Sequence, residues 1–308
     1  MRAVFFGTPE FAVPSLTALL DSGIEVPLAV TQPDRPVGRH AESRPSAVAL
    51  AASGRGIPLA KPEKLRASAA LLEEVRRAAS DVGVVVAYGK ILPKELLELP
   101  RFGFVNIHAS LLPKYRGASP VAAAILAGDR ETGVTAMRVV EQLDAGPVYL
   151  QRRVSIGETA DAGSLSRRLA ALGAEALVET LRELDAGTLV AAPQSGEPTY
   201  CGTIRREDGE IDWNLPAGQI ERRLRAYTPW PGLYTFLDGE RVKLLALEPV
   251  PAAGAGPPGT FWTEKGALLA AAGDGRSVSL LRLQRAGRKP VGGAEFALGV
   301  SVPGRFGR

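Results

Sequence analysis

From Val82 to Ala87 every residue is apolar (Val-Gly-Val-Val-Val-Ala), and a helical pattern over 65–79 precedes the run. A strand that is apolar on both faces belongs at the centre of a covered sheet, and such sheets are built from parallel βαβ units. The first half of the chain agrees with that reading. Segments 3–6, 25–31, 81–87 and 104–108 read as strands, and 11–20, 47–52 and 118–126 as helices. Strands over 133–140 and 148–154 then lead to a long helical pattern over 164–184. The predicted fold class is therefore α/β, with a mostly parallel, Rossmann-like sheet.

Composition shifts after that helix. Pro193-Gln194-Ser195-Gly196-Glu197-Pro198 reads as a linker, and short strand candidates at 234–237, 242–246 and 277–283 follow, broken by turns. Short strands with frequent turns predict a small β-barrel of the OB type. The expected division is an α/β domain over 1–188, a linker over 189–206 and the barrel over 207–308. Charge divides at nearly the same place. Residues 1–200 carry 22 Lys/Arg and 22 Asp/Glu, whereas 201–308 carry 15 and 11. The basic last third fits either a polyanion partner or a merely solvated surface. Arg222, Arg223 and Arg225 on a helical pattern, with Arg288 and Lys289, leave the same two readings open.

No apolar run approaches the ~20 residues of a membrane span. The segment from Met1 to Gly7 reads as a strand, without the long apolar stretch of a leader. The one cysteine, Cys201, cannot form an internal disulfide, which fits a reducing cytoplasm, and no Cys/His cluster has zinc spacing. Cys201 is given no catalytic role. Trp213 and Trp230 are expected in the core.

The first strand ends in Gly7-Thr8-Pro9-Glu10 rather than a Gly-x-Gly-x-x-Gly turn, which argues against a dinucleotide cofactor. Asn106 and His108 end the 104–108 strand and share a face, because strand side chains alternate. In open parallel sheets the ligand crevice lies beyond the strands' carboxyl ends. An amide beside an imidazole there suits donation to an oxygen that gains negative charge, although both also suit capping of the next turn. The loop Ser110-Leu111-Leu112-Pro113-Lys114-Tyr115-Arg116-Gly117 shows two leucines expected to be exposed, as in a pocket wall. Asp144, before Ala145-Gly146, is either a turn former or a carboxylate that orients the imidazole.

Together, Asn106-Ile107-His108, the loop from Ser110 to Gly117 and Asp144-Ala145-Gly146 resemble the folate-dependent formyltransferases. The resemblance runs the whole length, through Phe6-Gly7-Thr8-Pro9-Glu10, Thr31-Gln32-Pro33-Asp34-Arg35-Pro36, Ile211-Asp212-Trp213 and Pro229-Trp230-Pro231-Gly232. It implies a formyltransferase fold followed by an OB-like domain that binds tRNA. The implied donor is 10-formyltetrahydrofolate, and the acceptor is the α-amine of methionyl initiator tRNA. Asn106 and His108 would hold the oxyanion of a tetrahedral intermediate, and Asp144 would poise His108 and help move the proton. Neither a metal nor a covalent enzyme intermediate is implied. Ser110, Leu111, Leu112 and Pro113 would lie against the folate, with Val86 and Tyr88 flanking its pterin ring.

The resemblance also makes 32–46 an irregular surface loop that enters the acceptor end of the tRNA, with Arg39 as its key arginine. Arg35 and Arg44 would add phosphate contacts. The loop departs from its relatives in carrying His40-Ala41-Glu42-Ser43, Ala47 and Ala49, which make it less basic. The expected protein is a cytoplasmic monomer. Its rivals are a formyltransferase of the same fold acting on a small amine (an amino-sugar nucleotide or glycinamide ribonucleotide), and a non-catalytic folate- or RNA-binding protein.

Overall fold

The computed structural model describes residues 1–37, 42–66 and 68–307. The chain forms two compact units, neither of them one continuous stretch. The first holds Met1–Pro120, Glu131–Ser155 and Ser166–Gly202, and the second holds Val121–Arg130, Ile156–Leu165 and Thr203–Arg308.

The first unit is built on a seven-stranded sheet of β1 (Arg2–Gly7), β2 (Glu25–Val30), β3 (Leu59–Ala60), β4 (Val82–Val86), β5 (Phe104–His108), β6 (Glu131–Arg138) and β7 (Val148–Ser155). In space the order is β7-β6-β5-β4-β1-β2-β3. The five strands from β5 to β3 run parallel, and β6 and β7 add an antiparallel edge. The apolar 82–86 run is the central strand β4, as its composition requires.

On one sheet face Val4, Phe6, Leu28, Val30, Tyr88 and Phe104 form a core with Leu71, Val75 and Ala78 of the helix Ala69–Ala78. The Phe6 ring meets Tyr88 and Phe104 edge-on at 5.3 and 5.4 Å. On the other face Ile107 meets the helix Ala162–Asp185 at Gly173, where a Cβ would stand 2.7 Å from Ile107 Cγ2. Glycine is what permits that approach. The helix Ala47–Gly54 is capped by Ser46, whose Oγ accepts from the Ala49 N–H at 3.0 Å and pairs with Thr31 Oγ1 at 2.7 Å. Ser46→Ala should therefore cost about 1 kcal/mol in denaturant unfolding. An unchanged midpoint would deny the cap its weight.

The second unit is an antiparallel sheet of β8 (Leu233–Leu237), β9 (Glu240–Val250), β10 (Thr260–Glu264), β11 (Ala267–Ala271), β12 (Ser277–Arg285) and β13 (Gly304–Arg305), in the order β8-β9-β12-β11-β10-β13. It curls toward closure. Gly307, just past β13, donates its N–H to Phe236 O of β8 at 2.9 Å. The predicted barrel is thus present as a half-barrel. Trp213 lies inside it as expected, stacked on Phe306 at 5.4 Å and donating Nε1–H to Thr235 Oγ1 at 3.0 Å. Trp230 does not: it is 57% exposed, between Pro229 and Pro231.

Two of the three helical arginines, Arg223 and Arg225, are bonded within the fold. Arg225 pairs with Glu221 and donates to Ala160 O, while Arg223 donates to Asp208 O and lies over the Tyr227 ring.

Candidate active site

One face of β5 carries Phe104, Asn106 and His108, and the other carries Val105 and Ile107. The first face therefore begins in the aromatic core and ends in polar groups. Phe104 is buried, Asn106 is half-buried, and His108 is only 6% exposed. Among the described residues the Asn106 amide has no hydrogen-bond partner, so it is free for a ligand.

His108 lies between two oxygens. Its Nε2 donates to the Tyr115 carbonyl at 2.9 Å, and its Nδ1 stands 3.7 Å from Asp144 Oδ2. The second distance is too long for a hydrogen bond but short for an electrostatic contact, and Asp144 is itself 12% exposed. The Asp144 carboxylate accepts the Gly117 N–H at 2.8 Å. Asp144 sits at φ 47°, a left-handed conformation uncommon outside glycine, so the turn is held by its surroundings. Gly146 is part of that hold: a Cβ there would meet Arg138 O at 1.7 Å. The structure thus brings the three predicted polar residues together.

The 110–113 loop is arranged differently from expectation. Its leucines are not exposed: Leu112 is buried, and Leu111 packs over Gly133, where a Cβ would come within 2.5 Å of its Cδ2. Ser110 is fully buried and donates to Lys114 O at 2.5 Å. Thr135 and Gln151 pin the loop to the sheet. Thr135 Oγ1 donates to Ser110 O and accepts from Leu112 N–H, and Gln151 Nε2 donates to Leu112 O and to Thr135 Oγ1. A polar residue inside each apolar strand pattern was the available signal for these two.

Val86 and Tyr88 point into the core, so that segment can offer a ligand chiefly its backbone. Burial pushes the Tyr88 hydroxyl up to about 12, which keeps it neutral. The Tyr88 carbonyl accepts from Thr8 Oγ1 and from Gln32 Nε2. Burial also raises the Cys201 thiol, which makes it a poor nucleophile, and the thiol faces the Tyr115 and Arg116 carbonyls at 3.5 Å.

Within 32–46, Arg35–Val37 pairs antiparallel with Glu42–Arg44, a regularity the sequence did not suggest. Arg35 and Arg44 are exposed and stand directly opposite each other. Like charges so placed repel unless an anion joins them. Arg39 lies outside the described residues.

The family described as formyl transferase matches residues 1–181, and that described as formyl transferase, C-terminal domain, matches residues 203–301. The chain is 46% identical to a methionyl-tRNA formyltransferase of Thermus thermophilus over 98% of its own length and 97% of the relative's. It is 43% identical to that of Caldanaerobacter subterraneus subsp. tengcongensis over 98% of both chains. Among solved structures it resembles HypX from Aquifex aeolicus in complex with tetrahydrofolic acid. The TM-score is 0.61 at 18% identity, and the match covers 96% of this chain but only 46% of HypX. A strand-end amide and imidazole, a carboxylate beside them and full-length identity to named relatives converge: this chain belongs to the methionyl-tRNA formyltransferases of the formyl transferase family.

Proposed function

We propose that the protein transfers a formyl group from 10-formyltetrahydrofolate to the α-amine of methionyl initiator tRNA. The observation that carries this is His108, 3.7 Å from the Asp144 carboxylate and on the same face of the strand end as Asn106. It occurs in a chain that matches methionyl-tRNA formyltransferases along almost its whole length.

Attack of the neutral amine on the formyl carbon forms a C–N bond and moves an electron pair onto the formyl oxygen. Asn106 donates an amide N–H to that oxygen. His108 turns its Nε2–H from the Tyr115 carbonyl to the oxyanion, a better acceptor because it is charged. Asp144, held by the Gly117 N–H, keeps the imidazole oriented and takes part in moving the amine proton to the departing folate nitrogen as the second C–N bond breaks. The chemistry needs neither a metal nor a covalent enzyme intermediate.

The buried 110–113 loop fixes the wall on the folate side, with the backbone near Val86 and Tyr88 opposite. A fold neighbour solved with tetrahydrofolic acid supports a donor of that class. The catalytic domain, linker and tRNA-binding domain are assigned to 1–188, 189–206 and 207–308, and the protein acts as a cytoplasmic monomer. Among the described residues no helix is long and apolar enough to cross a membrane. Arg39 serves the acceptor end of the tRNA, and Arg35 and Arg44 contact its phosphates, which would relieve the repulsion between these two facing arginines.

The test supplies formyl-folate with methionyl initiator tRNA and, in parallel, with an amino-sugar nucleotide and glycinamide ribonucleotide. The expected product is formylmethionyl-tRNA. Formylation confined to the small amines, or binding without any transfer, would overturn the reading. Affinity for tRNA should fall linearly with salt on logarithmic axes, and Arg39→Ala should raise the KM for tRNA while leaving folate binding intact. Equal loss of both would remove Arg39 from the tRNA site.

A further inference from the structure

Gln194 lies in the Pro/Gly-rich stretch whose composition reads as a linker, yet its side chain is tied into the site at both ends. Its Nε2 donates to Asp144 O at 2.7 Å and to Gly146 O at 2.9 Å. Its Oε1 accepts from Arg116 Nε at 3.2 Å and Nη2 at 2.6 Å. One amide thus uses both donors on the turn that presents Asp144, and its acceptor on the residue next to Gly117.

These are the two pieces that hold the carboxylate. The main chain of Asp144 sets where the side chain starts, and the Gly117 N–H sets where it ends, 3.7 Å from His108 Nδ1. Asp144 is left-handed, a conformation that aspartate tolerates better than most residues but that still gains from being held. The flanks of Gln194 are anchored too. Ala192 and Val148 exchange backbone hydrogen bonds at 2.7 and 2.8 Å, and Thr199 accepts the Tyr115 N–H on its hydroxyl.

We infer that Gln194 is a positioning residue for formyl transfer, fixing the Asp144 turn and the Arg116-Gly117 segment at one spacing so that the carboxylate faces His108. This rests on the proposed role of Asp144. Glutamine is required because it alone combines this length with two donors and an acceptor. Glutamate keeps the length and an Arg116 partner but sets a carboxylate against two carbonyl oxygens. Methionine keeps the volume and loses every bond.

The test is a double-mutant cycle on the full chain, with Gln194→Met, Asp144→Asn and both together, and Gln194→Glu as a second probe at the same position. Gln194→Met should lower kcat by about 100-fold, the size expected for a misplaced catalytic group, while KM for formyl-folate and for methionyl-tRNA changes by less than about threefold. In the Asp144→Asn background the same replacement should cost less than about threefold. Gln194→Glu should resemble Gln194→Met in kcat although it keeps the Arg116 contact; if the methionine variant does not fold, the glutamate variant completes the cycle.

Near wild-type turnover in the Gln194 variants, with Asp144→Asn strongly impaired, would overturn the inference alone. So would an undiminished Gln194 effect in the Asp144→Asn background, since Gln194 would then act by another route. Wild-type turnover of Asp144→Asn would instead overturn the catalytic reading, and the inference with it.

Discussion

His108→Ala should lower kcat by about 100- to 1,000-fold, the usual cost of removing one donor to a developing oxyanion. The loss should fall on kcat more than on KM, because the donor matters most when the formyl oxygen carries charge. His108 is buried past the aromatic cluster, and its ring nitrogens face Tyr115 and Asp144. The variant should lose some stability with the buried bond to Tyr115, but far less than the catalytic loss. Asn106→Ala should show a similar loss, and the double variant less than the product of the two, since both groups serve one oxygen. Wild-type kcat in His108→Ala would move the chemistry elsewhere.

Phe104→Ala should lower stability by about 3–5 kcal/mol, the range for removing a buried aromatic ring. The Phe104 ring covers Gly83, where a Cβ would sit 2.3 Å from it, and meets Phe6 edge-on at 5.4 Å. Gly83 has no side chain to take up the space that the ring would leave. Denaturant unfolding with an unchanged slope would report the loss directly. A loss under about 1 kcal/mol would mean that the site collapses around the cavity.

Much of this molecule is legible in the residues. The strand Phe104–His108 has the bounds its apolar pattern predicts, and the alternation along it places Asn106 and His108 on one face. The parallel sheet follows from the apolar 82–86 run. Other parts have no local signature. Ala267–Ala271 is a strand whose Ala and Leu suit a helix, and only its partners on both sides make it a strand. The pairing of 35–37 with 42–44 shows no two-residue alternation and is missed for that reason. Leu111 and Leu112 look exposed in sequence because the buried surface they meet, at Gly133 and Thr135, lies some twenty residues away. Gln194 is hidden by its prolines and glycine, which mark the backbone as irregular but say nothing of a side chain bonded fifty residues away.

The face of β5 that joins core to site has a consequence for how errors in this protein become visible. If β5 paired with β4 one residue out of register, Val105 and Ile107 would replace Phe104, Asn106 and His108 on that face. The chain would lose its aromatic contacts and its oxygen-binding groups in the same event. A misfolded fraction would then be silent rather than promiscuous, and specific activity would count correctly paired molecules. Selection for turnover alone would be enough to keep the sheet in register.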